Sequence, residues 1–210
     1  MSEQGGLSAM AATIFYLALA GLAWLLGSLW LGLDLITWHN DYGTTPAGDA
    51  LLGAALGILV VGLSQVLEHT TLWARALSQE FSKILGRVTV GQALVLALTS
   101  GIAEELFFRG FLQQALTDRV FGGEFPGLVL GLVFSSLIFG LVHIGPDRKK
   151  FLPWTIMAIV MGFGFGGLYL YTGNLIAPIV AHFTINFFNL QLISAHRDSA
   201  LGSDQGDQDG

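Results

Sequence analysis

The chain contains no cysteine among its 210 residues. Disulfides, thiolate metal sites and cysteine nucleophiles are therefore excluded. Charge is also scarce: Asp, Glu, Lys and Arg make up 11% of the sequence, where a soluble domain carries about a quarter. Nine scattered Lys and Arg are too few for a basic groove, so no nucleic acid partner is expected. There is no internal repeat and no pair of broken helices, the usual marks of a small transporter. A His-Glu-x-x-His zinc motif is absent too. What fills the chain instead is apolar: 53% of residues are hydrophobic and the mean hydropathy is +0.65, the composition of a membrane protein.

A membrane-spanning helix needs roughly 20 apolar residues. Six stretches qualify, at about 10–33, 50–67, 90–117, 127–145, 153–171 and 174–193. The expected fold is an all-α, polytopic transmembrane bundle. The first span follows MSEQGGLSA, which has no Lys or Arg, and is too long for a signal-peptide core, so it is expected to be retained. Between the second and third spans, LWARALSQEFSKILGR sets Trp73, Leu77, Phe81, Ile84 and Leu85 at helical spacing among polar residues. That pattern predicts an amphipathic helix lying in the interface. Residues 1–193 read as a single transmembrane domain. The polar, Gly-rich stretch 194–210, with Asp198, Asp204, Asp207 and Asp209, reads as a disordered acidic cytoplasmic tail. Arg75, Lys83, Arg87, Arg148, Lys149, Lys150 and Arg197 fall on one side of the spans and only Arg119 on the other. The positive-inside rule then places both termini in the cytoplasm.

The third span carries the anomaly. Its GIAEELFFRGFL holds Glu104, Glu105 and Arg109, each costing on the order of 3 kcal/mol inside a bilayer, which makes a functional site the default reading. Glu105 and Arg109 are four residues apart and stack on one face as an ion pair. Glu104 lies about 100° round the helix and is left for another partner. The fourth span ends in FGLVH, with Phe139 and His143 at the same spacing. The sixth carries His182 and Asn186, again four apart, then Asn189, which with Asn174 reads as a packing or capping residue. At about 1.5 Å rise per residue, Glu104 lies roughly 22 Å in from Arg119 and His143 roughly 25 Å in from Pro126. His182 comes out only roughly 12 Å past Asn174, and Asn186 roughly 18 Å, so that edge is expected further out. The third span exceeds one bilayer crossing, so it must tilt, extend into the cytoplasm or break near Thr99–Gly101.

EELFFR, FGLVH and HFTIN, in that order on successive spans, fit EExxxR, FxxxH and HxxxN. Together these motifs resemble the CPBP family, which comprises CAAX prenyl proteases of the Ras-converting type and the bacterial bacteriocin-processing and immunity proteins called Abi. The resemblance covers residues 90–193. It implies an intramembrane endopeptidase of the glutamic type, needing no cofactor, that acts on a membrane-anchored protein or peptide, by C-terminal processing or sorting-signal cleavage, in a bacterial plasma membrane. Glu104 would be the general base for the attacking water, His143 would orient that water, and His182 and Asn186 would donate to the oxyanion. Glu105, Arg109 and Phe139 would support the site. Two other readings stand beside it. A zinc ion on Glu104, His143 and His182 would make a metalloprotease of the same residues. A chain that binds a toxin or sensor without cleaving would be a membrane scaffold or immunity protein.

Overall fold

The computed structural model describes residues 9–38 and 44–206, the stretch from 196 onward as backbone only. Seven helices make up the described chain. They are α1 (Ala9–Ala23, continuing as a π turn over Trp24–Trp30), α2 (Pro46–Thr70), α3 (Leu72–Leu85), α4 (Val90–Glu105, continuing through π segments to Val120), α5 (Phe125–Leu141), α6 (Leu152–Thr172) and α7 (Ile176–Gly206). Five of the six apolar helices are long enough to cross a membrane, and α5, at 17 residues, is shorter. The protein is a polytopic helical membrane protein, and the predicted bundle is the observed one. The four residues 207–210 of the predicted tail lie outside the described part.

Helix ends follow from local chemistry. Thr45 caps α2 by accepting from the Gly48 amide, with Pro46 in the first turn. Thr89 and Gln92 form a reciprocal capping box at the start of α4. Gly173, at φ 65°, ends α6 in the left-handed conformation that glycine adopts without strain. Asn174 then caps α7 by accepting from the Ile176 amide, and donates to the carboxylate of Asp49 at 2.7 Å.

α7 is the hub, packing on α2, α4, α3 and α6. Its contact with α2 depends on small residues: Gly53 and Gly57 lie against the Ala177 and Ala181 carbonyls and the Thr184 side chain. Backbones approach this closely only without side chains between them, the usual solution inside bilayers, where packing rather than water expulsion holds helices together. The core around Val60, Phe108, Phe139, Ala158, Phe165, Ala181 and Ile185 joins α2, α4, α5, α6 and α7.

Of the alternatives open to the long third span, the break near Thr99–Gly101 does not occur: it runs continuously from Val90 to Val120, with its turns widened to π from Leu106. The fourth ends at Leu141, so His143 sits in the turn beyond it. The last helix passes 193 and continues to Gly206, so residues 194–206 are helical. Ser194 explains the start of that extension: its hydroxyl donates to the Val88 carbonyl at 3.3 Å and accepts from the Val88 amide at 3.2 Å.

The amphipathic helix is α3. Its Leu77 is buried, while Phe81 packs edge-on against Phe151 and Trp154 at 5.1 Å each. Glu80 pairs with Lys83 at 2.8 Å and with Lys150 at 3.2 Å, so the two Lys-bearing loops lie at one end of the bundle. These ammonium groups hold the Glu80 carboxyl below the usual carboxylate range.

A side chain at Gly53 would meet the Ala177 backbone, whereas Gly62 faces open space. Gly53→Leu is expected to cost about 1–3 kcal/mol or more by overpacking, and Gly62→Ala to cost nothing. Thermal midpoints in detergent compare the two.

Candidate active site

Glu105 is fully buried and binds in two directions. Its Oε1 accepts from Arg109 Nη1 at 3.1 Å and from His182 Nδ1 at 2.7 Å. The other arm of the guanidinium, Nη2, donates to the Gly162 carbonyl of α6 at 3.1 Å. Arg109 lies over the faces of Phe139, Phe165 and Phe108 at 4.5, 5.3 and 5.9 Å from the ring centroids. Ring quadrupoles and two hydrogen-bonded partners replace the water this cation has lost.

Glu104 faces elsewhere, as its position round the helix requires. Its Oε2 is buried and has no hydrogen-bond partner. His143 Nε2 is 3.5 Å from that oxygen and His182 Nε2 3.9 Å. Each imidazole is held from its far side. His143 Nδ1 is 2.6 Å from the Phe139 carbonyl, and the His143 and Phe139 rings lie 4.5 Å apart. A carbonyl only accepts, so Nδ1 carries the proton there. The ring of His182 stacks on Phe165 at 4.9 Å, nearly parallel, while its Nδ1 is committed to Glu105. Both imidazoles therefore present Nε2 to Glu104.

Asn186 sits one turn beyond His182. Its Nδ2 donates to Ser100 Oγ at 3.0 Å, and Ser100 in turn donates to the Ala97 carbonyl at 3.3 Å. One amide hydrogen of Asn186 stays available. Asn189, expected as a packing residue, accepts from Ser64 at 3.4 Å.

These groups line a cavity of about 340 Å³. Its lining is largely apolar and includes Trp73, Leu77 and Phe81 of α3 together with Glu104, His143, His182 and Asn186. The expected pairing of Glu105 with Arg109, and of Glu104 with other partners, is what the geometry contains. Although His182 is expected further out, its Nε2 comes within 3.9 Å of Glu104 Oε2. At the start of α7 the Leu175 amide bonds to the Ile36 carbonyl, the Trp38 amide to the Gly173 carbonyl, and Thr37 bridges Asn174.

Sequence reasoning missed several contributors. Phe165 and Gly162 stand in the small-residue run GFGFGG of α6, whose four-residue glycine spacing was a usable signal. Ser100 and Tyr16, which also line the cavity, carried none. Among the described residues, no group of three His, Asp or Glu is placed to hold a metal ion.

Bundle and site together define a class: an integral membrane protein with carboxylates, imidazoles and an amide gathered between its spans. Residues 86–188 match the family model described as type II CAAX prenyl endopeptidase Rce1-like. This segment, 103 of the chain's 210 residues, is what resembles the Rce1-like family. It is similar to the protein named "Uncharacterized protein YpbD" of Bacillus subtilis (strain 168), at 34% identity over 104 residues, 50% of this chain and 47% of that one. It is also similar to "Putative membrane peptidase YdiL" of the same organism, at 29% identity over 141 residues, 66% of this chain and 53% of that one. The chain thus spans about half the length of these curated relatives. No solved structure matches it.

Arg109→Met leaves a buried carboxylate without its cation and is expected to cost about 3–5 kcal/mol. Arg109→Lys is expected to restore little of this, because one ammonium lacks the planar fork that reaches both Glu105 and Gly162. Unfolding in mixed micelles measures both.

Proposed function

We propose that the protein is a membrane-embedded endopeptidase of the glutamic type, which hydrolyses a peptide bond close to the membrane anchor of its substrate. The observation that carries this reading is the convergence of the unpartnered Glu104 Oε2, His143 Nε2 and His182 Nε2 in the wall of a largely apolar cavity.

The chemistry follows from the proton positions. A water between Glu104 and His143 donates one hydrogen to the carboxylate and the other to the His143 Nε2 lone pair. Its own lone pair then points into the cavity. As the water oxygen bonds to the peptide carbon, Glu104 takes the proton and the carbonyl becomes an oxyanion. His182, with Nδ1–H given to Glu105, donates through Nε2 as the imidazolium, and the free hydrogen of Asn186 is the second donor. Collapse of the tetrahedral species breaks the C–N bond, and the proton on Glu104 passes to the leaving amine. In this state two carboxylates face one guanidinium and one imidazolium, so the buried site is neutral overall. Such preorganised donors usually contribute most to acyl-transfer catalysis.

A second reading has one specific support. Each imidazole gives its Nδ1–H to an acceptor, the outer contact that metal-ligating histidines make. Glu104, His143 and His182 would be the ligands of a zinc ion, which would supply Lewis-acid activation of water, although as they stand they do not form a metal-holding group. Metal analysis of the purified protein, with chelator treatment of the active form, separates the readings: the glutamic one expects activity at no stoichiometric metal.

The substrate is read as a lipidated or membrane-anchored protein or peptide, cleaved from the cytoplasmic side of a bacterial plasma membrane. Comparing membrane proteomes of cells with and without the protein should reveal an uncleaved precursor. Glu104→Gln and His143→Ala should each lower its processing at least about 100-fold, and Asn186→Ala about 10²–10³-fold, at unchanged protein levels. Full processing by the first two variants would leave a non-catalytic scaffold or immunity role. Because the chain has no cysteine, Lys149→Cys gives one thiol; an impermeant maleimide should reach it only from the cytoplasmic face.

A further inference from the structure

α7 carries a second asparagine in line with the site. His182, Asn186 and Asn189 are four and then three residues apart, so they share one face of the helix, and all three line the cavity. The two asparagines are held alike, by serines of two different helices. Asn186 Nδ2 donates to Ser100 of α4 at 3.0 Å, and Ser100 turns its own hydrogen to the Ala97 carbonyl at 3.3 Å. Asn189 Oδ1 lies 3.4 Å from Ser64 Oγ of α2, whose hydrogen it shares with the Val61 carbonyl at 2.8 Å. The carboxamide of Asn189 is thus anchored by its oxygen. Its Nδ2 hydrogens have no partner among the described residues, and that nitrogen is not sealed into the packing. Two idle N–H groups in an apolar lining cost free energy unless a ligand takes them up. Ser64 and Asn189 stand outside residues 86–188 and outside the three motifs.

We propose that Asn189 is a substrate-binding residue, whose Nδ2–H donates to a backbone carbonyl of the bound peptide near the bond to be cut. This rests on reading the cavity as the place of peptide hydrolysis. From His182 to Asn189 the helix rises about 10 Å, a distance that an extended chain covers in about three residues. A peptide laid along the column, with its scissile carbonyl at His182 and Asn186, brings a carbonyl further along to Asn189. Each peptide unit that enters an apolar cavity loses its water, and its carbonyl needs a replacement donor. A backbone carbonyl is the acceptor that every sequence offers. The subsite therefore holds the extended chain itself and leaves the choice of side chains to the apolar wall.

The alternative is that Asn189 only ties α7 to α2 through Ser64. Ser64→Ala breaks that tie and keeps the carboxamide, so the two roles separate. The probe is the precursor that accumulates in cells lacking the protein, purified with its anchor and supplied to proteoliposomes of the full chain. Asn189→Ala is expected to raise KM about three- to tenfold, the range for one hydrogen bond between neutral groups. Its kcat should stay within about twofold, because the bond is made equally before and during the chemical step. Asn189→Asp, of the same shape, sets an acceptor against the carbonyl and should raise KM at least as far. Ser64→Ala should leave KM unchanged while sharing the small fall in thermal midpoint of Asn189→Ala. A direct reading comes from Asn189→Cys, the one thiol in a chain without cysteine. In a Glu104→Gln background, which keeps the precursor intact, the precursor should slow alkylation of that thiol by iodoacetamide. Wild-type KM in Asn189→Ala, an equal rise in Ser64→Ala, or no protection of the thiol would overturn the subsite; an inactive Glu104→Gln would still leave the endopeptidase reading standing. Wild-type turnover by Glu104→Gln would overturn both.

Discussion

A single buried carboxylate organises the interior. Glu105 accepts from Arg109 on its own helix and from His182 on α7, while Arg109 reaches across to the Gly162 carbonyl on α6. Three helices are thereby tied at one point by charge-assisted bonds, in a setting of stacked phenylalanine rings. A buried ion pair is weak evidence for net stability, because desolvation offsets much of the attraction. Its consequence here is orientation. With Nδ1 fixed by Glu105 and one face against Phe165, the His182 ring keeps no rotational freedom, and Nε2 must face Glu104. The order of residues in α4 does the rest: two adjacent carboxylates point about 100° apart, so one can be spent on structure while its neighbour stays available.

The arrangement reaches well past the site. Glu105, Arg109, Gln113 and Thr117 are all buried and all four residues apart. On an α-helix of about 3.6 residues per turn such a column would drift round the axis. The π segments that begin at Leu106 take more residues per turn, so the column stays on one side. Opposite it lie glycines of α5 and α6. Gln113 donates to the Gly166 carbonyl at 3.3 Å, and Gly131 faces the Thr117 hydroxyl. Arg109 and Gln113 can be enclosed because bare backbone of α6 supplies acceptors within reach, whereas the buried Thr117 hydroxyl has no hydrogen-bond partner among the described residues. The π geometry and the glycine rows are two halves of one solution.

These relations decide what could be read from the sequence. The division of labour between Glu104 and Glu105 was legible, because it depends only on angular spacing within one helix. The grouping of His143, His182 and Asn186 was legible through their motifs and their place in apolar runs. What was not legible depended on tertiary approach. The 31–38 connector pairs with the α6–α7 turn, a contact between segments more than a hundred residues apart. Ser100 and Tyr16 are ordinary residues in apolar helices, and only their neighbours give them significance. The extension of α7 beyond residue 193 follows from a Ser194–Val88 tie that no local pattern announces.

The location of the cavity bears on what can be cut. A peptide bond in a transmembrane helix has its carbonyl engaged by its own helix, and unwinding it in hydrocarbon leaves backbone groups unsatisfied at several kcal/mol each. Near the interface those groups can be taken up by water. The cavity here is lined in part by Trp73, Leu77 and Phe81 of the amphipathic α3. Phe81 packs on Trp154, whose ring in turn lies 5.8 Å from that of His143. The Glu80–Lys150 pair fastens the same helix to the loop beside them. The amphipathic α3 thus forms part of the cavity wall. On the proposed reading, this is the physical reason for cleavage beside an anchor: there, water and an unwound backbone can meet the buried carboxylate together.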